Sequence, residues 1–198
     1  ASPTETAAPT ETATPEPTAT PEPPPPPAQE EPQEELPPDS ALVEGVTGYY
    51  QSLPLSCESR SAVDWARFFG YEISELDFQY ALPFTDNPET GFVGDPRAMA
   101  GGIPPYAYGV HAGPVAALLR AYGVPAEDRR WFSYDNLRWE VASGRPVIVW
   151  VISSVIGGSG VSYTASDGQT TTVAPLEHTV MVVGYTPDAV IIQDGGGR

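Results

Sequence analysis

The chain has 198 residues, and its 26 acidic and 9 basic side chains give a formal net charge of −17. So acidic a chain argues against a nucleic-acid partner, because phosphate backbones are bound by lysine and arginine. The one cysteine excludes an internal disulfide, and one cysteine with two histidines cannot complete an ordinary structural zinc site, so we expect no metal and no cofactor.

The first 40 residues differ in composition from the rest of the chain. They hold 13 of the 24 prolines and nine acidic residues, with no basic or aromatic residue. Such a segment buries too little apolar surface to fold, so residues 1–40 are predicted to be a disordered Pro/Thr/Glu-rich stalk or linker. The chain begins at Ala1 without an initiator methionine, so we expect a removed leader. An extracellular or cell-surface location follows, with the segment as a tether to a membrane or cell wall.

Residues 41–198 are long enough for one domain with a hydrophobic core. The first helix is predicted to begin at Cys57 and to end near Gly70. Its apolar positions recur at i, i+3, i+4 and i+7: Ala62, Trp65, Ala66 and Phe69.

Three more helices follow in the first two thirds of the domain. Ser74 and Asp77 form a capping pair for a short second helix. Residues 81–109 are too rich in Pro and Gly for regular structure, and so long a loop in a compact domain is more often functional than idle. Pro114 is predicted to open a third helix, and a fourth is predicted over about 133–143.

The last part of the chain changes to the period of strands. Residues 146–152 are a continuous apolar run, and residues 160–173 read as a hairpin that turns at Asp167-Gly168. The stretch "HTVMVVGYTPDAVIIQD" at 178–194 reads as two further strands. The sequence therefore predicts an α+β fold, with N-terminal helices packed on a mostly antiparallel sheet.

Cys57 is the candidate nucleophile, although a lone cysteine is more often a small buried hydrophobe. At a helix N-terminus, unpaired N–H groups favour the thiolate, so we expect its pKa to lie below the free value of about 8.5. Catalysis also needs a base, an orienting group and oxyanion donors. If 178–185 and 189–194 pair as a hairpin, Asp194 lies beside His178; Gln51 precedes the helix.

These residues resemble a known family of enzymes. The spacings Q-x5-C at Gln51 and Cys57 and H-x15-D at His178 and Asp194 are similar to those of the papain-like cysteine peptidases. The segments "LSCESRSAVDWARFFG", "GVHAGPVAALLRAYG" and "GRPVIVWV" are closer to the bacterial branch of the double-glycine leader peptidases, family thirty-nine of the cysteine peptidases.

The resemblance covers residues 50–194 and implies a papain-like fold and a role for each residue. Cys57 would attack the carbonyl, His178 would take and return the proton, and Asp194 would stand where papain has asparagine. Gln51 and the Cys57 N–H would bind the oxyanion. The substrate would be a peptide or protein.

Two departures from that family limit what carries over. The exporter peptidases are fused to a transporter, whereas this chain has a stalk and no integral membrane segment, so leader processing does not carry over. We also expect at least one strand after Asp194, so the sequence predicts a domain truncated at its C-terminus.

Three functions are consistent with this sequence. The leading hypothesis is a cysteine peptidase that hydrolyses a peptide or isopeptide bond through a Cys57 thioester. A catalytically inactive surface binding module on the same fold is the second, and an acyl transferase of the transpeptidase or transglutaminase type is the third. His111, the other histidine, lies at a helix entrance, where a capping or packing role is expected. The sequence does not identify the substrate.

Overall fold

The computed structural model describes residues 36–153 and 155–196. Residues 1–35 of the predicted disordered segment lie outside the described residues. Helices lie at Cys57–Phe68 (α1), Glu75–Ala81 (α2), Ala112–Ala121 (α3) and Tyr134–Ala142 (α4). Strands lie at Ala41–Leu42 (β1), Val147–Ile152 (β2), Val161–Thr164 (β3), Thr170–Val173 (β4), Glu177–Tyr185 (β5) and Val190–Gln193 (β6).

The strands form two antiparallel sheets. β5 is central in the larger one, where β1, β2 and β6 all pair with it, and β3 and β4 form a separate hairpin. The predicted hairpin over 178–194 is present: Met181 stands opposite Gln193 and Tyr185 opposite Val190. Helices ahead of a mostly antiparallel sheet were predicted, and this arrangement is confirmed.

Local sequence signals explain most element ends. The Ser74 side chain accepts a hydrogen bond from the Asp77 N–H at 3.3 Å, which is the predicted cap of α2. The third helix begins at Ala112, two residues before the predicted Pro114. Proline is tolerated there because the N–H groups of a helix's first turn have no intrahelical partner.

The core lies between α1 and its neighbours. Ala62, Val63 and Ala66 of α1 are fully buried, and this helix packs on β5, α2 and α3. Phe78 of α2 and Leu119 of α3 lie in the same cluster. This packing sets the N-terminus of α1 beside the start of β5, where the candidate site lies.

The chain just before β1 is held by the domain. The Tyr185 hydroxyl donates to the Pro38 carbonyl at 2.9 Å, and Arg138 Nη2 donates to the same oxygen at 2.8 Å. Over the described residues, none of the helices has the length and apolar character needed to cross a membrane.

Candidate active site

Cys57 is the first residue of α1, as predicted, and it is 5% exposed. Its Sγ donates a hydrogen bond to Glu58 Oε2 at 3.3 Å. Ser56 occupies the cap position of this helix, but its side chain makes no capping hydrogen bond because its hydroxyl donates to Glu75.

Glu75, the first residue of α2, fixes the turn that leads into Cys57. Its carboxylate accepts hydrogen bonds from the Ser52 N–H at 2.9 Å, the Ser52 hydroxyl at 2.7 Å and the Ser56 hydroxyl at 2.7 Å. Arg60 Nη1 donates to the same carboxylate at 3.1 Å, and Arg60 also pairs with Asp64 one turn along α1. One buried ionic cluster therefore ties the 52–56 turn to both helices.

His178 and Asp194 meet at the end of the β5–β6 hairpin, as the sequence predicts. His178 Nε2 lies 2.7 Å from Asp194 Oδ1, and Asp194 Oδ1 also accepts the Gly196 N–H at 2.8 Å. A carboxylate oxygen can only accept, so Nε2 is the protonated donor in this contact. This leaves Nδ1 as the ring nitrogen able to accept a proton.

Gln51 lies next to His178. Its backbone N–H donates to the Gly195 carbonyl at 2.9 Å, and a Cβ placed on Gly196 would stand 3.1 Å from Gln51 Oε1 and 3.0 Å from His178 Cε1. The amide Nε2 donates to the carbonyls of Leu53 and Pro54 at 2.9 and 3.0 Å. Both amide hydrogens are thus engaged, and an oxyanion contact would require one of these bonds to exchange.

The structure brings Gln51, His178 and Asp194 together, but it turns the Cys57 thiol toward a different group. The described residues contain no hydrogen bond between Cys57 and His178. Successive side chains leave opposite faces of a strand, so His178 leaves the face opposite to Glu177. The Glu177 carboxylate and the Thr179 backbone are the β5 groups against the thiol.

Two buried carboxyl groups surround the thiol. Reactive atoms of Cys57, Glu58 and Glu177 all lie within 4.8 Å of one another. Glu58 is 1% exposed, and its Oε1 accepts the Val110 N–H at 2.7 Å. Glu177 is 9% exposed, and within the described part of the chain neither of its oxygens has a hydrogen-bond partner.

This setting reverses the expected direction of the Cys57 pKa. Burial raises the pKa of the thiol well above its ordinary value, and the nearby Glu58 and Glu177 raise it further. The Thr179 backbone contact acts in the opposite direction and favours the thiolate. The prediction of a lowered pKa from helix position alone was therefore wrong, because desolvation and two acidic neighbours outweigh the helix terminus.

The same burial raises the pKa of the acids. Desolvation raises the pKa of Glu58 from 4.5 to about 7, although the Val110 N–H opposes this. Desolvation and the Glu58 charge raise the pKa of Glu177 well above 4.5. Two carboxylates cannot both ionise cheaply in so dry a place, so the pair retains a proton at neutral pH.

The sequence argument missed Glu58, Glu177 and Glu75. Glu58 directly follows Cys57 in the sequence, and Glu177 directly precedes His178. An acidic residue next to each predicted catalytic residue was the sequence signal that could have indicated them. For Glu75 no local pattern indicates the contact with residues 52–60.

His111 takes a packing role, as expected. Its Nδ1 lies 2.9 Å from Glu89 Oε1 and its Nε2 lies 3.1 Å from the Tyr108 hydroxyl. Both ring nitrogens are thus engaged away from Cys57.

Comparison with known proteins gives the family and the fold. The model of the Peptidase_C39 like family matches residues 43–198. Among solved structures, a "putative C39-like peptidase" from Bacillus anthracis superposes with a TM-score of 0.71 at 22% identity, covering 81% of this chain and 85% of that one. At this identity the likeness shows the fold. No curated protein matches the chain.

Proposed function

The chain belongs to the Peptidase_C39 like family, and from this membership we propose that it is a cysteine peptidase. The reaction would be hydrolysis of a peptide or isopeptide bond through a thioester on Cys57. The observation that carries the proposal is the His178–Asp194 contact of 2.7 Å, because His178 directly follows Glu177, whose carboxylate lies within 4.8 Å of the Cys57 thiol.

In this mechanism Asp194 positions His178. Holding Nε2–H on Asp194 keeps the imidazole in the tautomer whose Nδ1 accepts a proton, and it stabilises the imidazolium that forms. His178 Nδ1 takes the Cys57 proton while the Sγ–C bond forms at the substrate carbonyl. The same proton then passes to the leaving amine as the C–N bond breaks, which leaves the thioester.

Water completes the cycle. His178 Nδ1 removes a proton from water, whose oxygen attacks the thioester carbon. The C–S bond breaks and the proton returns to Sγ, which restores the thiol. The Cys57 N–H at the helix terminus is a ready oxyanion donor, and Gln51 joins it once its amide leaves the Leu53 or Pro54 carbonyl.

The first step requires Cys57 to change partner. Its proton now lies on a hydrogen bond to Glu58, so the side chain has to turn toward His178 before attack. The thiol of the resting site is therefore protonated and neutral.

The test uses a library of fluorogenic peptidyl-aminomethylcoumarins with the full chain. The wild type is expected to release the fluorophore, and Cys57→Ala and His178→Ala are expected to lose at least ~1,000-fold of that rate. His111→Gln is the matched control, because it alters the chain's other histidine. Full activity in Cys57→Ala would refute the proposal. An added amine, with product masses, identifies acyl transfer in place of hydrolysis.

A second candidate function is favoured by the direction of the thiol. Because Cys57 bonds to Glu58 and its pKa is raised, the same fold would also suit an inactive binding module. Alkylation by iodoacetamide separates the two. If no substrate accelerates the reaction at Cys57 and His178→Ala does not change its rate, the binding module is the better description.

We also propose an extracellular or cell-surface location, with residues 1–40 as the tether. The composition of that segment supports it. Fractionation of cells that express the native gene, with detection by an antibody to the domain, tests it; recovery in the cytosol alone would contradict it.

A further inference from the structure

The pocket behind Cys57 holds two buried carboxyl groups for which the described residues supply no cationic partner. Within the described residues, none of the ion pairs includes Glu58 or Glu177. Glu177 is 9% exposed, and neither of its oxygens accepts a hydrogen bond from the part of the chain that the structure describes. Buried carboxyl oxygens without a donor are costly, so such a group calls for a proton or a cation.

We propose that Cys57 Sγ, Glu58 and Glu177 bind a thiophilic divalent cation of the Zn²⁺ type, and that this cation holds the nucleophile silent. The inference goes beyond hydrolysis, because the site needs no substrate. Sequence reasoning set aside a zinc site built on cysteine and histidine; here carboxylates take the place of histidines.

The geometry fits one ion. Metal-ligand bonds of about 2.3 Å to sulfur and 2.0–2.2 Å to oxygen place tetrahedral ligand atoms roughly 3.5 Å apart. The Cys57 Sγ to Glu58 Oε2 distance is 3.3 Å, and all three ligand atoms lie within 4.8 Å. To reach that separation the Glu177 carboxylate has to move by about 1.3 Å at most, and no hydrogen bond from the described residues restrains it.

The surroundings fix the rest of the site. The Val110 N–H holds Glu58 Oε1 at 2.7 Å, which leaves Oε2 for the ion. A Cβ on Gly109 would lie 2.1 Å from Glu58 Oε1 and 2.9 Å from Glu177 Oε2, so the Gly109 backbone closes one wall. Three protein ligands leave one coordination position for water.

The ligand set selects the class of metal. A thiolate is a soft ligand that Mg²⁺ and Ca²⁺ avoid, whereas Zn²⁺ and Co²⁺ accept mixed sulfur and carboxylate ligands. Binding releases two protons to solvent, that of the Cys57 thiol and that retained by the Glu58–Glu177 pair, and places a sulfur lone pair on the metal. The sulfur is then unable to attack a carbonyl until the ion leaves.

The first experiment titrates the reduced full-length chain with Co²⁺, whose absorption reports thiolate ligation. We expect one bound Co²⁺ per chain with a thiolate-to-cobalt charge-transfer band. Cys57→Ser should lose that band, and Glu177→Gln should weaken binding at least ~10-fold. Glu44→Gln, which alters an exposed glutamate, is the matched control and should bind like the wild type. Circular dichroism checks that each variant is folded.

The second measurement needs no variant. Zn²⁺ should protect Cys57 from iodoacetamide at least ~10-fold, and EDTA should remove the protection. The proposal is overturned if the folded wild type shows no thiolate-to-cobalt band, or if Glu177→Gln and Glu44→Gln bind Co²⁺ with equal affinity. Glu58 and Glu177 would then be a carboxyl pair that only shares a proton. Neither assay uses a substrate, so failure of peptide hydrolysis does not change their interpretation.

Discussion

Glu58→Gln isolates the energetic effect of the buried acid beside the thiol. Glu58 is 1% exposed, with one oxygen on the Val110 N–H and the other on the Cys57 thiol. Glutamine has nearly the same shape and keeps an acceptor for Val110. The substitution therefore removes the titration and leaves the packing.

The sign and size of the effect follow from the pKa of Glu58. It is about 7 in the folded protein against an ordinary 4.5, so the native state holds this proton more tightly than the unfolded chain does. Below pH 4.5 both states are protonated; as the pH rises toward 7 the unfolded state loses its proton first, and stability falls. At ~1.4 kcal/mol for each tenfold change in proton affinity, the full effect is about 3 kcal/mol.

Urea unfolding at pH 5 and pH 8 measures this. About 2–3 kcal/mol of the effect lies in that interval, so the wild type should lose that much more stability than Glu58→Gln between the two pH values. Glu44→Gln, an exposed acid, should follow the wild type. Equal pH dependence of the wild type and Glu58→Gln would refute the assignment of a raised pKa to this group.

Two further substitutions test the packing around the site by urea unfolding at pH 7. Glu75→Ala removes the carboxylate that accepts hydrogen bonds from Arg60 and from the 52–56 turn. It should lower the free energy of unfolding by about 3 kcal/mol, because a buried charge loses a partner. Glu72→Gln, which alters an exposed acid, is the control, and an equal loss in both variants would contradict this role of Glu75. Phe78→Ala empties a fully buried position and should cost ~3–5 kcal/mol, whereas a loss below ~1 kcal/mol would mean that Phe78 is not core.

Elements that depend on neighbours in sequence were predictable. The period of Ala62 and Ala66 and the Ser74 cap are local signals, and the structure contains both. The His178–Asp194 contact was predictable for a related reason: a hairpin register follows from two strands and a short turn, so sixteen positions of separation become one contact.

The direction of the Cys57 thiol was not predictable in this way. It depends on Glu177, which is 120 positions away in the chain and faces the thiol only because of how α1 packs on β5. The helix terminus favours the thiolate by about 0.3–1 kcal/mol at ordinary sites. Burial of the thiol and the nearby Glu58 and Glu177 disfavour the thiolate, and together they raise the Cys57 pKa.

The last prediction joins these effects at the nucleophile. Above pH 7 Glu58 is ionised and opposes the Cys57 thiolate; below pH 7 it is protonated, and that opposition ends. Two charges ~4 Å apart interact by about 4 kcal/mol at an effective dielectric constant near 20. A tenfold effect on thiolate formation needs only about 1.4 kcal/mol of this. The ratio of iodoacetamide rate constants, Glu58→Gln over wild type, should therefore stay near one at pH 6 and rise at least ~10-fold by pH 9. Glu177 is present in both proteins, but its pKa falls when the Glu58 charge is lost, and this partly offsets the rise in the ratio. A ratio independent of pH would mean that the Glu58 charge does not reach the sulfur, and that Cys57 is kept neutral by burial alone.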